Sequence, residues 1–136
     1  MTDYQAPVRQ MRFTIDHLAD FPAVAALPDF SAVDGDTIEA VRGEAAKFAG
    51  GVLAPINWLG DQQGVKVVDD AVQVPREFTD AYKQFCEAGW PSLSCDPAFG
   101  GQGLPAAVAV CFAEMQNSAN QAWTMYPGLT HGAYDC

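Results

Sequence analysis

The chain has 136 residues, 49% of them hydrophobic, so it is long enough to bury one core of ordinary domain size. Its 17 acidic side chains against 7 basic ones give a formal net charge of −10 at pH 7. A surface of that charge repels phosphate backbones and anionic lipid headgroups, which excludes nucleic-acid and membrane-surface partners from our expectations.

The longest apolar run, residues 106–113, is too short to span a bilayer, which takes about 20 residues. The first residues carry Asp3 and Arg9 rather than the charged-then-apolar pattern of a signal peptide. We therefore expect a cytoplasmic protein without a membrane span.

Four cysteines and two histidines determine which redox and metal chemistry is open to the chain. No two cysteines form a C-x-x-C pair, and His17 lies far from His131, so the spacing gives no zinc constellation. We expect free thiols and no metal site. A thiol-based redox protein using Cys86 or Cys95 has no paired motif in its favour.

Residues 1–33 show little sustained periodicity and contain three prolines, at positions 7, 22 and 28. One short amphipathic stretch, residues 13–21, predicts one or two helical turns. Apolar residues recur throughout, so the segment is predicted to be an arm that packs against something rather than a solvated linker.

From Asp36 onward apolar residues recur at alternating steps of three and four, which predicts a helix. Asp36 followed by Glu39 has the form of a capping box, with Asp as the capping side chain. Gly50, Gly51 and Pro55 weaken the interior, so we expect a bend near Gly51 rather than a clean stop. The predicted stripe consists of Ile38, Val41, Ala45, Phe48, Val52, Ile56 and Leu59.

After this helix, β-branched runs on either side of Asp69 and Asp70 predict a small hairpin. Pro75 is placed as the first residue of a second helix, which ends at Gly89. The stretch 90–103 is rich in Pro, Ser, Asp and Gly, and it is predicted to be a loop.

Pro105 opens a third predicted helix. Beyond Asn120 large side chains are dense but not periodic over a useful length. It is expected to approach a site or another domain. The predicted buried face of the third helix consists of Val108, Cys111, Phe112, Met115 and Ala119.

Four features could carry chemistry, and each has a plainer interpretation. The glycine-rich residues 100–103 could cradle a phosphate, but they lack a dinucleotide spacing and a preceding strand, which favours a tight turn. Glu114 could act as a general base or be solvated or ion-paired. His131 could lie at a pocket edge, although a lone histidine is more often structural. Trp123 and the Met and Tyr residues after it could line a ligand cavity or simply be core.

Several segments, taken together and in order, resemble the acyl-CoA dehydrogenase family: residues 46–49, 52–57, 60–61, 89–90 and 96–105. The last is the most specific, because a proline and an aromatic residue precede Gly-Gly-x-Gly and an apolar helix. The resemblance extends from Asp34 to the end of the chain. The arm and residues 119–134 resemble the larger-subunit branch of that family.

This resemblance implies a mainly α fold. Residues 34–136 would be the helical bundle-like N-terminal domain with its small β-hairpin, residues 1–33 would be the arm, and the middle β and C-terminal helical domains would be absent. In that family FAD accepts a hydride during α,β-oxidation of an acyl-CoA thioester, and the C-terminal part supplies the carboxylate base. The resemblance therefore implies no catalytic residue here, FAD held elsewhere, an electron acceptor and a homo-oligomer.

By position, the resemblance assigns substrate-pocket lining to Met125, Tyr126, Pro127, Leu129, Thr130 and His131, with Glu114 and Met115 as weaker candidates. The resulting hypothesis is an enzyme portion that is inactive alone, produced as a fragment, by a premature stop or by a frame shift. The alternative is a free-standing helical module that binds acyl-CoA or another protein.

Overall fold

The computed structural model describes residues 4–136 and is mainly helical, with one small antiparallel hairpin, as predicted. The helices and strands are α1 (Val8–His17), α2 (Phe21–Ala25), α3 (Gly35–Phe48), α4 (Ala54–Gln63), β1 (Lys66–Val68), β2 (Ala71–Gln73), α5 (Arg76–Glu87) and α6 (Ala106–Asp135). Helix α6 packs against α3, α4 and the turn between them, which places it at the centre of the fold.

The arm contains more helix than the one or two turns predicted, because α1 and α2 together occupy most of residues 8–25. Met11 and Phe21 are 6% and 7% exposed and belong to the same buried cluster as the main helices. Burial of these two side chains supplies the stabilisation that a short helix lacks in isolation.

The N-cap of helix α3 lies two residues earlier than predicted. Asp34, not Asp36, is the N-cap: its Oδ1 accepts from Thr37 N at 2.6 Å. This hydrogen bond lowers the pKa of the Asp34 carboxyl, because it favours the charged form. Glu39 makes no capping bond and instead accepts from the buried Arg42. The sequence pattern allows either Asp34 or Asp36 to be the N-cap. The path of the backbone places Asp34 in that position.

The expected continuation past the glycines is confirmed. A π-helical turn, Ala49–Leu53, joins α3 to α4 without a stop. A Cβ on Gly50 would lie 3.1 Å from Tyr4 O, so this glycine lets the arm approach closely. Pro55 lies in the first turn of α4, where its missing N–H costs least.

The predicted hairpin and second helix are also confirmed. Val67 pairs with Val72 across the hairpin, and both turn residues, Asp69 and Asp70, have positive φ, as a two-residue hairpin turn of this kind requires. Helix α5 then buries Phe78, Ala81 and Phe85, and Gly89 follows its end in the left-handed conformation.

Beyond Asn120, where the sequence shows no useful periodicity, α6 continues to Asp135. Asn120 itself is non-helical, with φ −162° and ψ 84°, and marks a kink. After the kink Trp123 and Pro127 are buried while Met125 and Leu129 are exposed. Large apolar side chains therefore occur on both faces of this helical half, and this hides the period of 3.6 residues.

The core surrounds Phe48, whose ring lies 6.1–6.3 Å from those of four other aromatic residues. Trp123 is fully buried and its Nε1 donates to Phe78 O at 3.0 Å, which ties the second half of α6 to α5. The four rings around Phe48 are those of Phe85, Trp90, Phe112 and Trp123.

Between residues 4 and 136, the structure contains no helix with the length and apolarity needed to cross a membrane.

Replacing Asn120 with Ala is expected to lower the free energy of unfolding by about 2–4 kcal/mol, because a buried cap and a second buried hydrogen bond are lost together. Asn120 is 1% exposed; its Oδ1 accepts from Trp123 N at 3.0 Å and its Nδ2 donates to Leu53 O at 3.2 Å. Urea denaturation followed by circular dichroism measures the change.

The control for this prediction is Asn117→Ala, on the exposed face of the same helix, which should change stability by less than about 0.5 kcal/mol. Equal effects of the two variants would show that the cap at Asn120 does not hold the kink.

Candidate functional site

A cavity of about 360 Å³ lies beside the kink of α6. The helical half before the kink contributes Phe112 and Gln116, and the half after it contributes Pro127 and His131. Helix α5 and residues 90–95 close the remaining walls. The volume is within the roughly 300–1,000 Å³ of small-molecule pockets, and the walls are mostly apolar.

A second, more open space of about 530 Å³ lies between α5 and the outer face of residues 121–135. Phe78 forms its floor beside Tyr126, and the two rings meet edge to face at 6.3 Å. Tyr82 and Thr130 border both this groove and the cavity. The two spaces are therefore neighbours that share a wall.

The structure brings the six predicted lining residues together on the second half of α6. Pro127, Thr130 and His131 border the cavity, and Met125, Tyr126, Leu129 and Thr130 border the groove. Their role as substrate-lining residues stays a prediction. The weaker candidates border neither space: Glu114 is exposed, and Met115 is buried in the core.

Several hydrogen-bonding groups around the cavity already have partners within the chain. Thr124 Oγ1 donates to Asn120 O at 2.9 Å, Tyr134 OH accepts from Asp96 N at 2.8 Å, and Asn117 Nδ2 donates to Ala113 O at 2.7 Å. His131 lies 3.8 Å from an Asp135 carboxylate oxygen. These contacts fix the positions of the side chains along the walls.

Two buried donors at the cavity have no partner among the described residues. They are Nε2 of Gln116, a side chain that is 6% exposed, and Nε1 of Trp90. Sequence reasoning missed both. One signal was present: Gln116 follows Phe112 by four residues, so a polar side chain stands at a buried position of the predicted stripe.

The glycine-rich loop is a tight turn, as predicted. Gly101 N donates to Asp96 O, Gln102 N to Ser92 O and Gly103 N to Cys95 O, at 2.9–3.0 Å. With their N–H groups engaged inside the loop, these residues cannot receive a phosphate. A side chain on Gly101 would overlap the Cys95 carbonyl, so the loop closes only with glycine there.

The four cysteines are free thiols, as expected. Burial raises the pKa of the Cys111 thiol, which keeps it protonated at neutral pH. Within residues 4–136 no three His, Cys, Asp or Glu side chains lie close enough together to hold a metal ion.

Curated relatives cover nearly the whole chain, whereas no protein-family model matches it. The chain is 39% identical to 3-methylmercaptopropionyl-CoA dehydrogenase of Ruegeria pomeroyi over 97% of its length. It is 30% identical over 94% to the broad-specificity linear acyl-CoA dehydrogenase FadE5 of Mycobacterium tuberculosis, and 29% identical over 96% to butyryl-CoA dehydrogenase of Syntrophomonas wolfei.

The helical fold and these relatives define one class of protein, and the chain belongs to the acyl-CoA dehydrogenase family. It corresponds to an N-terminal portion of such an enzyme. The chain spans 22%, 21% and 22% of the length of the three relatives. The similarity to the Ruegeria pomeroyi protein agrees with the branch that the arm and residues 119–134 indicated.

Gly101→Ala is expected to lower the free energy of unfolding by about 1–3 kcal/mol, because the new methyl group overlaps backbone and the loop must shift. The matched substitution Gly43→Ala in α3 meets nothing within 4 Å and should raise it by about 0.8–1.0 kcal/mol. Thermal unfolding of both variants tests whether the two substitutions change the free energy of unfolding in opposite directions. Stabilisation by Gly101→Ala would contradict the loop geometry.

Proposed function

We propose that this chain is the N-terminal helical part of an FAD-dependent acyl-CoA dehydrogenase, and that the cavity beside the α6 kink receives the acyl chain of an acyl-CoA. The observation that supports this is an apolar cavity of ligand size in a chain whose relatives are all named as acyl-CoA dehydrogenases. These relatives do not favour the alternative of a free-standing binding module.

The contribution of this chain to the reaction is binding and exclusion of water. An apolar wall holds the acyl chain in one orientation, and it keeps water from the carbons that lose a proton and a hydride. Glu114 is exposed and borders neither the cavity nor the groove, so its position does not support a catalytic role here. His131 borders the cavity, and we propose that it lines the wall. We assign the catalytic base to another part of the enzyme.

FAD is the cofactor of the enzyme family, and it would accept the hydride. The glycine-rich loop does not fit its pyrophosphate, because the N–H groups of residues 101–103 are bonded within the loop. We propose that other parts of the enzyme hold FAD, and that the chain alone is inactive.

The division into an arm, residues 1–33, and a helical domain, residues 34–136, stays a proposal. Met11 and Phe21 of the arm pack in the same core as the domain, so the arm would be a fixed part of it. The electron acceptor, the homo-oligomeric state and a cytoplasmic location are predictions of the same kind.

Purified chain titrated with FAD should show no flavin binding and no bleaching on addition of butyryl-CoA, since the base and flavin site lie elsewhere. Butyryl-CoA should still perturb the fluorescence of Trp90, which borders the cavity. Trp90→Phe should abolish that response, and Trp58→Phe, which removes a tryptophan that is 70% exposed, should preserve it. Stoichiometric flavin binding with substrate-dependent bleaching would contradict the proposal that other parts of the enzyme hold FAD and the catalytic base.

The chain alone is expected to associate through the groove, because Met125 and Leu129 on its rim are 58% and 74% exposed. Lysine at both positions should shift the chain toward monomer in light scattering, whereas Leu18→Lys on the arm, also 75% exposed, should not. A monodisperse monomer before any substitution would contradict this proposal.

A further inference from the structure

Two unsatisfied donors distinguish the cavity beside the kink from a plain apolar slot. The Gln116 side chain is 6% exposed, and neither its Nε2 nor the indole Nε1 of Trp90 has a hydrogen-bond partner. Both residues border the cavity. A buried N–H without an acceptor destabilises a fold, so its presence calls for an explanation outside the fold itself.

The two donors flank the same aromatic ring. The Trp90 ring packs on Phe112 with centroids 4.4 Å apart, and Gln116 follows Phe112 by one helical turn on the same face of α6. An occupant of the cavity that reaches the Phe112 ring would therefore lie beside the side chains of Trp90 and Gln116. The terminal torsion of a glutamine is broad, so the amide can turn toward such an occupant without moving the helix.

Three other polar groups around the cavity are already engaged within the chain. Thr124 Oγ1 and Asn117 Nδ2 donate to backbone carbonyls, and the Tyr134 hydroxyl accepts from Asp96 N. An alkyl chain in the cavity would leave both donors unsatisfied, whereas a chain with an acceptor atom would satisfy at least one. A site built with donors rejects the analogue that lacks the acceptor.

We propose that Gln116, assisted by Trp90, selects acyl chains that carry a hydrogen-bond acceptor atom within the chain, such as an ether oxygen in place of a methylene. This inference rests on the proposed function, since it requires the acyl chain to enter this cavity. Gln116 is a specificity-determining residue, and it takes no part in the chemistry.

The test compares methoxypropionyl-CoA with pentanoyl-CoA, which differ by an oxygen in place of one methylene. Both are titrated into isotopically labelled chain while the indole N–H of Trp90 and the amide of Gln116 are followed by NMR. The ether should bind about fivefold to tenfold more tightly, which corresponds to about one net hydrogen bond. Gln116→Leu keeps a side chain of similar size and should bring the ratio of the two affinities close to one.

The matched control is Gln84→Leu, the same substitution on the exposed face of α5 and outside the cavity, which should keep the preference. Equal binding of the two thioesters, or a preference that survives Gln116→Leu, overturns the inference and leaves the acyl site intact. Binding of neither thioester, with no change in the Trp90 signal, overturns the proposed acyl site and the inference with it.

Discussion

The break in α6 at Asn120 is the constraint on which the site depends. Ala109 and Tyr134 border one cavity, although 25 residues of straight helix would separate them by about 37 Å. A single helix can form two walls of a pocket only if it changes direction between them. Asn120 makes that change by leaving the helical conformation and capping the next turn through Trp123 N.

A break in a buried helix requires partners for the groups that it releases, and neighbouring elements supply them. Asn120 Nδ2 donates to Leu53 O in the π-helical turn between α3 and α4. Trp123 Nε1 donates to Phe78 O in α5, and Thr124 Oγ1 returns to Asn120 O. The kink is thus tied both to the turn between α3 and α4 and to α5, which fixes the direction of the second half of α6.

Much of this fold could be predicted from the sequence wherever one face of a helix is buried along its length. The stripes through Phe48, Phe112 and Met115 were predicted because each of these helices buries an apolar side chain on the same face at every turn. The cap at Asp34 could not be separated from Asp36, since the two differ only in the local backbone path. The half of α6 after Asn120 was missed because its faces meet a core, a groove and solvent in turn. The six predicted lining residues came from family resemblance, and periodicity alone would not have selected them.

Gln116 and Asn120 show why a polar residue in a buried stripe cannot be interpreted from sequence alone. They lie four residues apart on one helix, and both are nearly inaccessible to solvent. Asn120 has a donor and an acceptor in its surroundings, so its burial is explained by the fold. Gln116 Nε2 has no hydrogen-bond partner among the described residues, so hydrogen bonds within the fold do not explain its burial. The pattern of the sequence is the same in the two cases, and only the positions of neighbouring groups separate a residue that is satisfied by the fold from one that we propose binds the ligand.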